Sequence, residues 1–291
     1  MCLLLVGGLS ASCIKEDNSD CFNIYRLALS YLGDENSEIF PEKIDRVDMY
    51  VFDGTGACIT STRLSEAEMQ AQMTTLPPLE EGTYRIVCVG NAYDTTVENI
   101  DSKDLSSTTF AANDYINGET VSGNDPLYWS AIDYVIAPYD EYKQIETKTT
   151  YFSSSHYDIF VEVVGVPALK ADRDVQIVLR AVSPYTDFNN RAFGQATSYQ
   201  METAHDGNVT LSSTANIMRH SNHQDVYVDV IAGGDVLASV NFAEHIKNFD
   251  INTQLNECLI PFRIELGATN VKVTVPSWFV ENVTPDFKTI K

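Results

Sequence analysis

The groups able to do chemistry in this chain are six cysteines, five histidines and a large excess of carboxylates. His220 and His223, with Asp225 close behind in RHSNHQD, could supply part of a metal site. Their spacing is loose and the run reads as a loop entering a strand, so no metal is expected there. Ser183 lies in AVSPY, not in a G-x-S-x-G elbow. Neither a P-loop nor a G-x-G-x-x-G occurs. Adjacent acids such as Glu80 and Glu81 read as solvated surface in so acidic a chain. The acids of the FDGTG stretch lack the later ligands of a calcium loop, so it reads as a plain turn. Cys21, Cys58, Cys88 and Cys258 form no C-x-x-C pair and name no disulfide. The expectation is a protein without cofactor or metal, and not an enzyme.

Cys13 is different, because of where it stands. It marks the border in GLSASCIKEDNSDC where an apolar run becomes acidic. Met1 to Leu9 carries no charge and is shorter than the roughly 20 apolar residues a bilayer span needs. It suits the apolar region of a secretory signal peptide, with Ser10, Ala11 and Ser12 as the small-residue cleavage site. A cysteine directly after such a site resembles the lipobox of bacterial lipoproteins. That resemblance implies cleavage before Cys13 and a lipid on it. Leu9 stands one place further from the cysteine than is usual, and no Lys or Arg precedes the apolar run, which suggests a start placed too late. Lys15, Glu16 and Asp17 resemble the acidic export signal that takes lipoproteins of Bacteroides-type bacteria to the outer face of the outer membrane. The reading is a signal peptide over 1–12 and a lipidated acidic linker over 13–21.

The remaining chain must form the body on that tether. Its net charge of −22 and pI near 4.4 repel nucleic-acid phosphates and anionic lipid, so no nucleic-acid partner is expected. Most of it alternates with period two between turn residues, the strand signal. Tyr25, Leu27, Leu29 and Tyr31 give a first strand one apolar face. Val47, Met49 and Val51 do so for a second, followed by a hairpin turn at Asp53–Gly56. Ser65 with Glu68 three residues on is a capping box for one helix. Strands are expected at 82–90, 127–136 and 157–164, with 91–125 a long polar loop carrying small elements. A second cycle has strands near 175–180, 209–211, 226–231, 236–242, 259–266 and 271–275. Two consecutive β-sandwiches follow, because one-faced sheets must pack face to face. They are placed at 22–166 and 167–291.

These segments together resemble the fimbrillin-associated anchor subunits of Bacteroides-type (type V) pili. The signatures are Cys13 with its acidic tail, MYVFDGTG ending at Gly56, Gly82-Thr-Tyr84 leading to Val89-Gly90-Asn91, Leu127-Tyr-Trp129, Leu179-Arg180, and Ser183 to Asn189. The resemblance implies an all-β chain of two tandem transthyretin-like β-sandwich domains. It implies other fimbrillin subunits as partners by strand exchange, and the outer membrane as partner through the lipid on Cys13. In such pili a stalk subunit loses its first strand to an arginine-specific protease, and an extended strand of the next subunit fills the groove. An anchor keeps its first strand, here Tyr25 to Tyr31. Arg26 lies within that strand, Arg46 is read as inside the second, Arg63 precedes the helix, and Gly33 to Lys43 contains no arginine. Two other readings stay open. One is a stalk or tip fimbrillin. The other is a surface glycan-binding lipoprotein, with Tyr128, Trp129, Tyr139 and Trp278 as a candidate aromatic platform.

Overall fold

The computed structural model describes residues 23–34, 36–101, 107–138, 145–165, 175–205, 210–220 and 223–280. The first half runs β1 Ile24–Ser30, α1 Phe40–Lys43, β2 Val47–Phe52, β3 Cys58–Arg63, α2 Glu66–Ala71, β4 Met73–Thr75 and β5 Gly82–Gly90. It continues with β6 Thr95–Glu98, β7 Thr109–Ala112, α3 Asn113–Asn117, β8 Tyr128–Ile136, β9 Ile145–Tyr151 and β10 Ser153–Ser154. The second half runs β11 His156–Val164, β12 Val175–Val182, β13 Tyr185–Asp187, β14 Ala192–Phe193, β15 Thr197–Met201, β16 Thr203–His205 and β17 Thr210–Met218. Then follow β18 Tyr227–Ala232, β19 Asp235–Asn241, α4 Phe242–Asn248, β20 Leu259–Leu266, β21 Val271–Thr274 and α5 Ser277–Val280. The chain is all-β in character, as its alternation predicts.

Two pairs of sheets each enclose a core. In the first, the three-stranded sheet β4-β1-β9 shares a core with the five-stranded sheet β10-β8-β5-β2-β3, through Leu27 and Leu29 on one side and Met49, Ile86 and Tyr134 on the other. In the second, β16-β17-β11-β20-β21 packs on β15-β12-β18-β19 around Ile159, Val161, Ile177, Val228 and Phe262. The strand at 157–164, read from sequence as part of the first unit, is a correction. As β11 it pairs with β17 and, in parallel, with β20, so it stands in the middle of the second unit's sheet. A parallel partner arriving about a hundred residues later is invisible to local periodicity.

A further sheet, β14-β13-β7-β6, is built from both halves. It lies over the outer face of the first unit, where Phe52, Val87 and Val89 meet Phe110, Phe188 and Met218 in a third core. The stretch 91–125, read as a long loop with small elements, supplies β6, β7 and α3, and two of these are strands of this layer. All four residues of β7 are buried, so its sequence TFAA shows no alternation.

The sequence signatures mark joints of this framework. Asp53 makes the β2–β3 hairpin by accepting on Oδ1 from Thr55 N at 2.8 Å and Ala57 N at 3.1 Å. Asn91 sits at φ 58°, donates from Nδ2 to Lys43 O at 2.8 Å and accepts on Oδ1 from Asp45 N at 3.1 Å, tying the end of β5 to the approach of β2. At Gly90 a Cβ would stand 3.0 Å from Ile44 Cγ2 and 3.1 Å from the Tyr128 Cβ, so a larger residue there would have to push these side chains aside by a few tenths of an ångström. The capping box at Ser65 and Glu68 forms as predicted and starts α2.

His245 shows how the second core is set for neutral pH. It is 2% exposed, stacks on Phe262 with ring centroids 4.0 Å apart, and donates from Nε2 to Pro261 O at 2.9 Å. Its Nδ1 has no partner among the described residues, so a proton there would be a buried, unpaired charge. Burial holds His245, and His223 beside Phe242, below the ordinary value of 6.5. Both bind a proton more readily in the unfolded chain. Their neutral forms therefore cost nothing above about pH 6.5, and stability is lost as pH falls below it toward the lower folded values. The melting temperature is expected to fall between about pH 6.5 and 5, and His245→Gln is expected to flatten that slope, followed by circular dichroism.

Candidate functional site

β1 is the element on which an assembly role would turn, and it is deeply set. Tyr25, Leu27 and Leu29 point into the first core, and Tyr31, one residue past the strand, is fully buried. Burying four such side chains contributes about 6–12 kcal/mol, comparable with the whole stability of a domain. β1 is the central strand of its sheet. On one side Arg26, Leu27 and Ala28 pair antiparallel with Thr75, Thr74 and Met73 of β4. On the other, every residue from Ile24 to Ser30 pairs in parallel with β9, Ile145 to Tyr151.

Side chains reinforce the β1–β9 pairing. Tyr134 Oη lies 3.1 Å from Arg26 O and 3.2 Å from Glu146 O, so one hydroxyl bridges the two strands from beneath. Lys148 Nζ sits 4.4 Å over the Tyr134 ring, a cation–π contact. Burial, with Glu146 beside it, pushes the Tyr134 phenol up to about 12, so it stays a donor. Tyr25 accepts on Oη from Ala137 N at 3.0 Å and meets Tyr134 edge-on at 5.6 Å. After β1, Glu38 gathers the turn: it accepts from Ser30 Oγ at 2.5 Å, Tyr31 N at 2.9 Å and Phe40 N at 3.0 Å. Without β1, a slot would lie open between β4 and β9, floored by the first core.

The family model of fimbrillin-A associated anchor proteins Mfa1 and Mfa2 matches residues 18–284. The chain belongs to this family. It is a structural subunit of fimbriae, located at the cell surface. Among solved structures, the fimbrial anchor protein Mfa2 from Porphyromonas gingivalis is similar at TM-score 0.68 and 14% identity, over 88% of this chain and 98% of that one. A candidate adhesin from Bacteroides ovatus matches at TM-score 0.68 and 16% identity, over 88% and 94%. A candidate polysaccharide-binding protein from Bacteroides thetaiotaomicron matches at 0.66 and 12%, over 87% and 96%. At these identities the likeness is one of fold. No curated protein matches the chain.

The first three arginines of this anchor-family protein are each held in place. Arg26 is half-buried in β1 with both backbone edges paired. Arg46 stands just before β2, not inside it; its guanidinium pairs with Asp48 at 2.9 Å. Arg63 ends β3 and reaches the same Asp48 at 3.0 Å.

Cys13, Lys15, Glu16, Asp17 and Cys21 lie outside the described residues. Cys58, Cys88 and Cys258 are free thiols. His220 and His223 come within 5.0 Å, ring to ring, as part of an aromatic layer with Tyr157 and Phe242. Asp225 occupies the short turn that follows, and among the described residues no cluster of three metal-ligating side chains occurs. Of the proposed aromatic platform, Tyr128 is buried, Trp129 donates to Phe188 O at 3.2 Å, Tyr139 is outside the described residues, and Trp278 is exposed against Phe160. Tyr128, Trp129 and Trp278 are not brought together into one exposed face. Sequence reasoning missed β9 and the residues that fasten the end of β1, namely Glu38, Asp34, Asn256 and Glu257. Their partners lie in most cases more than 200 residues away, and no local signal points to them.

Proposed function

We propose that this protein is the lipid-anchored base of a fimbrium, which attaches the fibre to the outer membrane and ends its growth. The observation that carries this is β1: a buried central strand followed by a turn, Gly33 to Lys43, without an arginine. An arginine-specific protease would find Arg26 paired on both edges and no site in the turn where a groove must open. The strand stays, and the slot between β4 and β9 stays filled. The tether is the lipid on Cys13, with Lys15, Glu16 and Asp17 directing the chain to the outer face. The partners are other fimbrillin subunits, joined by strand exchange, and the role is structural, not catalytic.

Intact mass spectrometry of the protein from the cell surface is the test. The mature chain is expected to begin at Cys13 and carry acyl mass. A chain beginning beyond about residue 32 would make this a polymerising stalk or tip subunit. Deleting the gene is expected to give long fibres shed into the medium, whereas loss of a stalk subunit would abolish fibres.

A further inference from the structure

The segment after β1 is fastened to a turn in the other half of the molecule. That turn, 252–258, runs between α4 and β20. Arg219, just past β17, shapes it. Its Nη2 donates to Leu255 O and Asn256 O at 2.6 Å each, its Nη1 to Thr253 O at 3.3 Å, and its Nε to His156 O at 2.9 Å. A planar guanidinium with its donors spent in this way fixes the turn against β11.

The turn then grips the first half at three places. The backbone amides of Asn256 and Glu257 donate to the two carboxylate oxygens of Asp34, at 2.5 and 3.1 Å. Asn256 Nδ2 donates to Leu32 O at 3.0 Å. The Glu257 carboxylate accepts from the Tyr31 hydroxyl, from Tyr128 Oη at 3.3 Å and from Lys43 Nζ at 2.5 Å. Burial first, then Glu257 itself, raise both phenols, so both remain donors. Bonds to a charged acceptor are the stronger kind, and five of these six involve the carboxylate of Asp34 or Glu257.

We propose that the 252–258 turn is a latch on the first strand: β1 leaves its slot only after the second half lets go of Tyr31, Asp34 and Lys43. A strand held at one end by such bonds frays from the other and re-pairs, because its far end never leaves. Opening the groove and separating the two halves are then one event. Asp34, Glu257 and Arg219 act as positioning residues for β1. The inference rests on reading β1 as the retained strand, but its test measures strand release in the purified protein and makes no use of fibre growth.

Hydrogen–deuterium exchange of the Ile24–Ser30 amides, together with tryptic cleavage after Arg26 followed by intact mass, reads that release. In Asp34→Ala/Glu257→Ala both rates are expected to rise about tenfold or more, with β20 amides unchanged. Glu257→Gln, which keeps an acceptor for Tyr31 but loses the charge facing Lys43, should fall between this and the parent. Exchange of β1 at the parental rate overturns the latch. So does a rise that merely follows β20, since that is global unfolding. If the double variant does not fold, Glu257→Gln decides alone, and no rise overturns the proposal. A mature chain lacking β1 on cells would refute the anchor reading and leave these rates untouched.

Discussion

A protein in which Cys13 is replaced by alanine is expected to leave the membrane fraction almost completely and to appear in the medium or periplasm. The reason lies in what else could hold it. The net charge of −22 repels an anionic surface. Among the described residues no helix is long and apolar enough to cross a membrane. On the proposed lipidation, attachment would rest on acyl chains, each buried methylene contributing about 0.8 kcal/mol, with more than one chain needed for stable anchoring. Fractionation with labelled palmitate checks this. Cys13→Ala protein that still sediments with membranes and takes up label would exclude lipidation at Cys13. Released protein should keep the parental circular dichroism, because the substitution changes no residue of the described strands.

Phe188→Ala is expected to be the most damaging single truncation at the join between the halves. Phe188 is fully buried in the layer where both contribute. Its ring meets Tyr50, Phe52 and Phe110 edge-on at 5.3, 5.7 and 6.0 Å. Its carbonyl accepts from Trp129 Nε1 at 3.2 Å. Removing such a ring costs about 3–5 kcal/mol, through lost transfer energy plus a cavity the rigid sheets cannot collapse. For a chain of this size that lowers the first melting transition by roughly 10 °C. Phe188→Leu, which refills most of the volume, should lose less than half as much. A drop of under about 2 °C for the alanine variant would mean that the joining sheet carries little of the stability.

Those two expectations draw on different sources, and so does the rest of the molecule. Elements whose two faces meet different surroundings were legible in sequence. β20 appears where alternation puts it, because it buries one face more than the other. The helix α2 is set by Ser65 and Glu68 bonding each other's backbone, an interaction within four residues. The hairpin at Asp53 is equally local. The inward set Tyr25, Leu27, Leu29 and Tyr31 needed only the period of a strand.

What depended on distant partners was decided by the tertiary structure alone. β9 reads IETKTTY, polar and mostly exposed, and is a strand because β1 lies beside it in parallel. β7 is buried throughout, so it carries no period. β11 has a clear alternation, but its half of the molecule is fixed by β17 and β20. Asp34 and Glu257 look like any other acids of an acidic chain until the fold sets Asp34 on the backbone amides of Asn256 and Glu257, and the Glu257 carboxylate on the Tyr31 hydroxyl. Local bonding and one-sided burial leave a pattern in neighbouring residues. Parallel pairing, two-sided burial and contacts across more than 200 residues leave none, because nothing near them in the chain has to change to accommodate them.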